Sequence, residues 1–340
     1  MKTLLFIFFC LGGSTILAQS TDARRAGAYQ VGSYLAGVVN VRDYANLPPG
    51  VYFADYNFWI STSGYYDQNG NKVKQMNLDL SVIDPDLSSV TLDLDVSANA
   101  YVNVPVIAYA SKFKILGARY IAAIAPVLIW GDYRIGVDVP EIGAGGSLNP
   151  DVNGVGDLVI IPLFLSWNFE KNFDIGFAYT VYTPTGRYEN GASDNIGLGH
   201  WTHQFQTPFY AYFLEQATAI AVIPTIEFNG KIKDVDVRTG TRFSLEYGIS
   251  QYVSEWLELQ IMNAHNWQIG DDTGEDVWWK DTPLDTKDSK NTFMAGVGLW
   301  PWKEKLYVSL RYSFDYGIHQ RFKANYFSVS IGFVPNLLAN

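Results

Sequence analysis

Val155-Gly-Asp-Leu-Val-Ile-Ile-Pro-Leu-Phe-Leu-Ser-Trp-Asn-Phe169, Glu170-Lys171-Asn172, Phe173-Asp-Ile-Gly-Phe-Ala-Tyr-Thr-Val-Tyr-Thr183: this stretch, followed by a polar, glycine-rich passage from Pro184 to His200 and then Trp201, decides the fold. In its second run Phe173, Ile175, Phe177, Tyr179 and Val181 are large and apolar, while Asp174, Gly176, Ala178 and Thr180 are small or polar. That period of two is the mark of a strand with two unlike faces. The three polar residues Glu170 to Asn172 join the runs as a hairpin. Long strand, tight turn, long strand and long loop make one unit of an up-and-down barrel.

Working outward, the same unit recurs. Runs at Tyr101 to Ser111 and Ala118 to Trp130, His203 to Leu214 and Thr218 to Asn229, Arg242 to Tyr252 and Trp256 to Trp267, and Asn291 to Trp300 and Leu306 to Tyr316 pair across short turns. Strands at Val51 onward and Phe322 to Phe333 bring the count to about twelve. Tight turns around Ile115, Lys171, Gln216, Ser254 and Glu304 alternate with longer connections, among them Gly131 to Gly154, Pro184 to His200 and Gly270 to Lys290. Asp67 to Ala100 reads as a large acidic loop with some strand of its own. Outer-membrane barrels place short turns on the periplasmic side and long loops outside, with an even strand number. The expected fold class is therefore all-β: a transmembrane, up-and-down, antiparallel β-barrel spanning residues 50–334.

The composition agrees. The chain has 340 residues, 48% hydrophobic and 15% aromatic, with 24 Lys+Arg against 34 Asp+Glu and a formal charge of -10. No internal apolar run approaches the ~18–20 residues of a spanning helix, so a membrane-embedded form of this chain is a closed barrel. Residues 1–18 read as an export signal, with Lys2, an apolar core from Leu4 to Leu11, and Ala18 before the cleavage point. The one cysteine, Cys10, lies inside that signal, which excludes a disulfide scaffold, a thiol nucleophile and a thiolate metal site from the mature chain. An acidic balance without a basic run argues against a nucleic-acid partner.

Residues 19–49 show no sustained periodicity; two readings stand, a flexible tail or a plug inside the barrel. Residues 335–340 form a short C-terminal tail. In the strands, a charged residue facing lipid costs ~2–4 kcal/mol near the bilayer midplane, so the charged face is expected to be the lumen. That places Arg242, Glu246, Glu227, Glu258, Arg311 and Asp315 inward, where opposite charges on neighbouring strands would pair. Either they form a polar constriction or they fill a narrow barrel. In the first strand Tyr52, Ala54, Tyr56, Phe58 and Ile60 share one face, and Asp55, Asn57 and Ser61 the other. The strand Leu158 to Phe169 is apolar on both faces, with Ile160, Pro162 and Phe164 on one of them, and is the candidate hydrophobic path. Pro105, Pro126, Pro162, Pro208 and Pro224 lie within strands, each marking a missing hydrogen bond, a bulge or a kink. Several such kinks would open a gap for lateral release into lipid; simple bulges account for most of them.

Five short motifs then carry a family resemblance: Leu47-Pro48-Pro49-Gly50-Val51-Tyr52 with Asp67-Gln68-Asn69-Gly70, Gly154-Val155-Gly156-Asp157-Leu158, Tyr182-Thr183-Pro184-Thr185-Gly186-Arg187-Tyr188, and Asn195-Ile196-Gly197-Leu198-Gly199-His200-Trp201. In this order, from about Gly50 to Phe333, the chain resembles the outer-membrane family named for a putative meta-pathway of phenol degradation, distant relatives of the long-chain fatty-acid transporters. The resemblance implies a channel or transporter moving hydrophobic, often aromatic, small molecules across the outer membrane of a Gram-negative cell. The partners it implies are outer-membrane lipid and lipopolysaccharide, the barrel-assembly machinery and a hydrophobic small-molecule substrate; no cofactor is expected.

Two other classes stand beside it. One is a structural or adhesive barrel. The other is a barrel lipase or esterase, for which none of His200, His203, His265 and His319 has a serine two residues on, and only His265 has an Asn (Asn263 or Asn266) close by in its strand. His200 and His203 would point to opposite faces, which disfavours a metal pair.

Overall fold

Twelve strands close into one barrel in the computed structural model, which describes residues 32–78, 90–139, 144–148, 151–170, 172–190, 192, 194–274, 287–303 and 305–333. The readings of 1–18 as a signal and of 335–340 as a tail, and residues 19–31 of the segment read as a tail or a plug, lie outside these residues. The barrel strands are β1 (Gly50–Tyr66), β2 (Val90–Ile115), β3 (Ala118–Ala125 continued by Leu128–Val139), β4 (Asp151–Val155 continued by Val159–Phe169), β5 (Phe173–Tyr182) and β6 (Thr202–Gln206 with Phe209–Phe213). They continue as β7 (Thr218–Asn229), β8 (Arg242–Ser254), β9 (Leu257–Gln268), β10 (Ser289–Trp302), β11 (Leu306–His319) and β12 (Arg321–Phe333). Neighbours pair antiparallel, and β12 returns to β1 with Phe53 opposite Phe333 and Trp59 opposite Phe327. Closure leaves no open sheet edge, which is what lets strands sit in lipid.

The turns explain the hairpins. Leu116 and Gly117 both have positive φ, 51° and 81°, the backbone of a two-residue hairpin turn matched to strand twist. At the other end of the barrel β11 and β12 are joined by Gln320 alone, also at positive φ, so the alternation of short and long connections has one exception.

Two stretches read as loops are strand. β2 is 26 residues long, and its Asp93 to Asn103 pairs with Asp138 back to Leu128 of β3. The far part of β3 in turn pairs with Ala144–Leu148 and with Asp151–Val155. These segments carry glycine and acid, the composition of a loop, yet glycine here answers a packing demand. A Cβ on Gly131 would lie 2.8 Å from the Asn99 carbonyl oxygen. Pairing with neighbours overrides local propensity.

The two faces divide as charge dictates on β7 to β12. Glu227, Arg242, Glu246, Glu258, Arg311 and Asp315 are all buried, and the alternate residues Ile220, Val222, Tyr247, Ile249, Leu310 and Tyr312 are exposed outward. β1 reverses the rule. Tyr52 packs against the inward cluster of Ala110, Ile121, Phe164 and Ala178, and Phe58 and Ile60 pack with Val38 and Tyr326. The aromatic face of β1 is thus the inner one, and Asp55 and Asn57 point out. Their cost is met locally: Asp55 accepts bonds from Asn57 at 2.8 Å and Asn103 at 2.6 Å, and Tyr101 donates to Asn57 at 2.5 Å. A hydrogen-bonded carboxylate in an apolar setting is far cheaper than a bare one.

β4 also departs from strict alternation. Its register slips between Ile160 and Leu163 against β5, and at the matching place against β3. One extra residue shifts every side chain beyond it to the other face. Phe164 is therefore buried inward opposite Ala178, whereas Ile160 lies opposite outward Val181, and Pro162 sits exposed on the bulge with its carbonyl accepting the Tyr120 hydroxyl at 2.9 Å.

Candidate functional site

The lumen holds a segment of the chain itself. Residues 33–46 hydrogen-bond to inward side chains from several strands before the chain enters β1. Glu227 accepts the amides of Ser33 and Tyr34, both at 3.0 Å. Glu246 accepts the Gly37 amide at 2.7 Å and the Tyr34 hydroxyl. Gln260 takes the Val41 amide at 3.0 Å, Tyr210 donates to the Val41 carbonyl at 2.8 Å, and Asp174 takes the Asn46 amide at 3.1 Å. Gly37 has φ +81° and lies against Ala264 and Thr292, so this close approach needs glycine.

Arg42 fixes the segment near the tight-turn end. Its guanidinium donates to the carbonyls of Gln216 and Ala217, each at 3.0 Å, and to Ser250 at 2.7 Å. It also pairs with Glu258 at 3.3 Å and lies 4.7 Å from the centre of the Tyr252 ring. Tyr44 rests edge-on against Phe164, with ring centres 6.5 Å apart.

The six charged candidates are inward as read, but their bonding differs from the expected strand-to-strand pairing. Arg311 donates to the Val38 carbonyl at 3.2 Å and to Asn40, and Glu258 receives Arg42 and the Tyr307 hydroxyl at 2.6 Å. Together with Glu227 and Glu246, four of the six serve the segment. Only two pair within the wall: Arg242 with Asp288, which also holds Arg321 at 3.1 Å, and Asp315 with Lys290 at 3.0 Å. Asp288 and Lys290 escaped the sequence reading because they fall at the edge of a long loop, three residues and one residue before the alternation that starts at Asn291.

The inner wall is unequal. Inward residues of β7 to β9 and β11 are almost all buried, whereas Val102, Val104 and Val106 of β2, Ile129 of β3, Ile161 of β4 and Tyr56 and Phe58 of β1 keep intermediate exposure. The unfilled side of the lumen is apolar and aromatic. Of the three residues read as a greasy wall, Phe164 faces inward but is buried against Tyr44, Ile160 faces out, and Pro162 sits exposed on the bulge. On the same side the β2–β3 ladder stops at Ile107 opposite Ile124 and resumes at Asn103 opposite Leu128, with Pro105 and Pro126 in the gap. Neither proline has an amide hydrogen to donate.

The glycine motifs converge on one carboxylate. Asp157 accepts the amides of Gly186 at 2.9 Å and Leu198 at 2.8 Å. A Cβ on Gly197 would lie 2.6 Å from Asp157 Oδ1, and one on Gly186 2.7 Å from the Gly197 Cα. The three motifs thus form a staple that folds the 183–201 loop back on the start of β4. His200 is buried beside it, and burial lowers its pKa, so the ring is neutral at pH 7. His203 lies on the outer face with its Nδ1 2.8 Å from the Tyr179 hydroxyl. His265 also faces out, its ring bonded to Asn291 at 2.5 Å and Tyr247 at 3.1 Å.

A family model described as Putative MetA-pathway of phenol degradation matches residues 62–331. No curated protein sequence matches the chain. Among solved structures, the COG4313 outer membrane channel from Pseudomonas putida F1 is similar with a TM-score of 0.63 and 17% identity, over 87% of this chain and 100% of that one. The Pseudomonas putida toluene transporter TodX has a TM-score of 0.47 and 10% identity, over 95% of this chain and 100% of its own. At these identities the likeness is one of fold: an outer-membrane β-barrel.

Proposed function

From the premise that this chain belongs to the Putative MetA-pathway of phenol degradation family, we propose that it is an outer-membrane channel for hydrophobic, including aromatic, small molecules. Residues 19–49 act as its plug and residues 1–18 as its export signal. One observation carries the reading: the side of the lumen left unfilled by residues 33–46 is lined by Val102, Val104, Val106 and Ile129. A water-filled porin needs charge along its path; a path for apolar solutes needs the reverse, since they gain nothing from charged groups they cannot solvate. Glu227, Glu246, Glu258 and Arg311 are engaged by residues 33–46, and Arg242 and Asp315 are ion-paired within the wall, so none is left to line that side. The β2–β3 pairing is interrupted at Pro105 and Pro126 on the same side, which supports a lateral exit there.

The test is conductance of the purified protein in planar bilayers together with uptake of a labelled hydrophobic aromatic compound by cells carrying or lacking the gene. Channel function predicts both above control, with uptake lost on deletion and restored by complementation. Conductance and uptake equal to control would leave a structural or adhesive barrel in its place.

A further inference from the structure

Outside the barrel, where β1, β2 and β3 leave the apolar belt, two neighbouring rows of the sheet form a groove. One row is aromatic: Phe327, Trp59, Tyr101 and Trp130 stand directly opposite one another across β12, β1, β2 and β3. Ring centres along it are 5.7, 5.2 and 5.6 Å apart, and Trp59, Trp130 and Phe327 are each just under half exposed. The next row, two residues further from the tight-turn end, is polar throughout: Asn325, Ser61, Asn99, Asp132 and Asp151, again in direct register. The two rows line an open surface groove of about 870 Å³.

The polar row is the informative part. Just below the aromatic row, Asp55, Asn57 and Asn103 bond one another. In the polar row no side chain has a hydrogen bond or ion pair to any described residue, although five strands contribute and each side chain points the same way. Two carboxylates, Asp132 and Asp151, face each other directly, an arrangement that costs stability in a sheet. A membrane girdle needs aromatics at this level and no more. A hydrocarbon would use the aromatic row and leave the polar row idle. Exposed ring faces beside a line of amide, hydroxyl and carboxylate groups match a solute with both C–H faces and many hydroxyls, since the rings cover the C–H face and the polar groups accept from and donate to the hydroxyls.

We propose that this groove binds a sugar ring of the outer-leaflet glycolipid, seating the saccharide headgroup on Trp59, Tyr101 and Trp130 with Asn99 and Asp132 bonding its hydroxyls. The glycolipid is favoured over a free sugar because the groove continues the lipid-facing belt: Val329, Ile331 and Leu128 lie on the outer face just below it, where acyl chains would run. The proposal depends on the outer-membrane setting and not on what the lumen carries.

The test uses full-length protein, stripped of lipid in detergent, with lipopolysaccharide of defined core as the probe and binding read by native mass spectrometry. Trp130→Ala and the double variant Asn99→Ala/Asp132→Ala are compared with wild type and with Trp267→Ala, which removes an outer-face aromatic stacked on Phe243 elsewhere on the barrel. Heat-modifiable migration on gels confirms that each variant is folded. The expected result is at least a tenfold loss of lipopolysaccharide binding for both groove variants, no change for Trp267→Ala, and binding of isolated core saccharide far weaker than that of the glycolipid. Equal loss for Trp267→Ala would mean general contact with annular lipid and overturn the site. Equal binding of phospholipid and lipopolysaccharide, or undiminished binding by Asn99→Ala/Asp132→Ala, would remove the sugar from the proposal. Channel conductance is expected to be unaffected by either groove variant, so failure here and failure of the transport reading show separately.

Discussion

Glu246 takes two bonds from one short piece of chain, the Gly37 amide and the Tyr34 hydroxyl, from a site with no solvent exposure. Leaving a buried donor without its acceptor costs about 1–3 kcal/mol, so the pair is among the strongest ties on the inner segment. Glu246→Ala is expected to free residues 33–37 while leaving the β8 ladder intact, and single-channel conductance in planar bilayers should rise several-fold. Unchanged conductance with unchanged unfolding would mean that the segment is held elsewhere. Asp157 acts alone in the same way at the 183–201 loop. Asp157→Ala removes both staple bonds, and limited proteolysis within 183–201 should accelerate by about tenfold or more, equivalent to ~1.4 kcal/mol or more of local opening, with the barrel's heat-modifiability retained. That Glu246 and its five companions face inward was legible from period two alone. What they bond to was not, because residues 33–42 carry no periodicity and their contacts are with strands some two hundred residues away in sequence.

β1 shows how an element can obey alternation and still be read inside out. The strand has an aromatic face and a polar face, and with lipid as the assumed partner of the aromatic face the assignment reverses. Along β1 the interior is not water: Val38, Tyr44 and Leu47 of the inner segment share clusters with Tyr52, Phe58 and Ile60 and ask for apolar partners. The polar outer face survives because Asp55, Asn57 and Asn103 satisfy one another. The consequence is a non-additive pair of substitutions. Asn103→Leu leaves Asp55 with one partner fewer in the belt and should destabilise the barrel by about 1–3 kcal/mol in urea unfolding. Adding Asp55→Leu should recover most of that loss, since a bonded polar pair replaced by apolar groups of similar size is often near neutral. A double variant less stable than Asn103→Leu would show that the polar patch has a further partner in the membrane. β4 went astray for a related reason. Its alternation is real on each side of Ile161 and Pro162, but an apolar run gives no sign of the extra residue that changes phase between them.

Across the whole molecule, the barrel is divided lengthwise by chemistry. β7 to β11 present large charged and amide side chains that close on residues 33–46, β1 and Phe164 of β4 pack apolar faces on the same segment, and β2 and β3 present Val102, Val104, Val106 and Ile129 to the space that remains. Even strand number, closure and the alternation of turns and loops follow from the sequence because each is a local, repeated signal; the lengthwise division does not, because it depends on which strands residues 33–46 lie against. It makes the last prediction a matter of selectivity. Val104 faces the unfilled side from β2, opposite Tyr56 and between two other valines, and it belongs to none of the clusters formed with residues 34–47. Val104→Asp places a carboxylate on the apolar path without touching the ties that hold residues 33–46. Uptake of a labelled hydrophobic aromatic compound should fall to about one tenth or less, as a penalty of ~1.4 kcal/mol or more on the path requires. Cation conductance in planar bilayers should hold or rise, because the new charge hydrates the lumen. If uptake and conductance instead fall together, ions and apolar solutes share one route; if uptake is unchanged, the apolar solutes travel elsewhere than along β2.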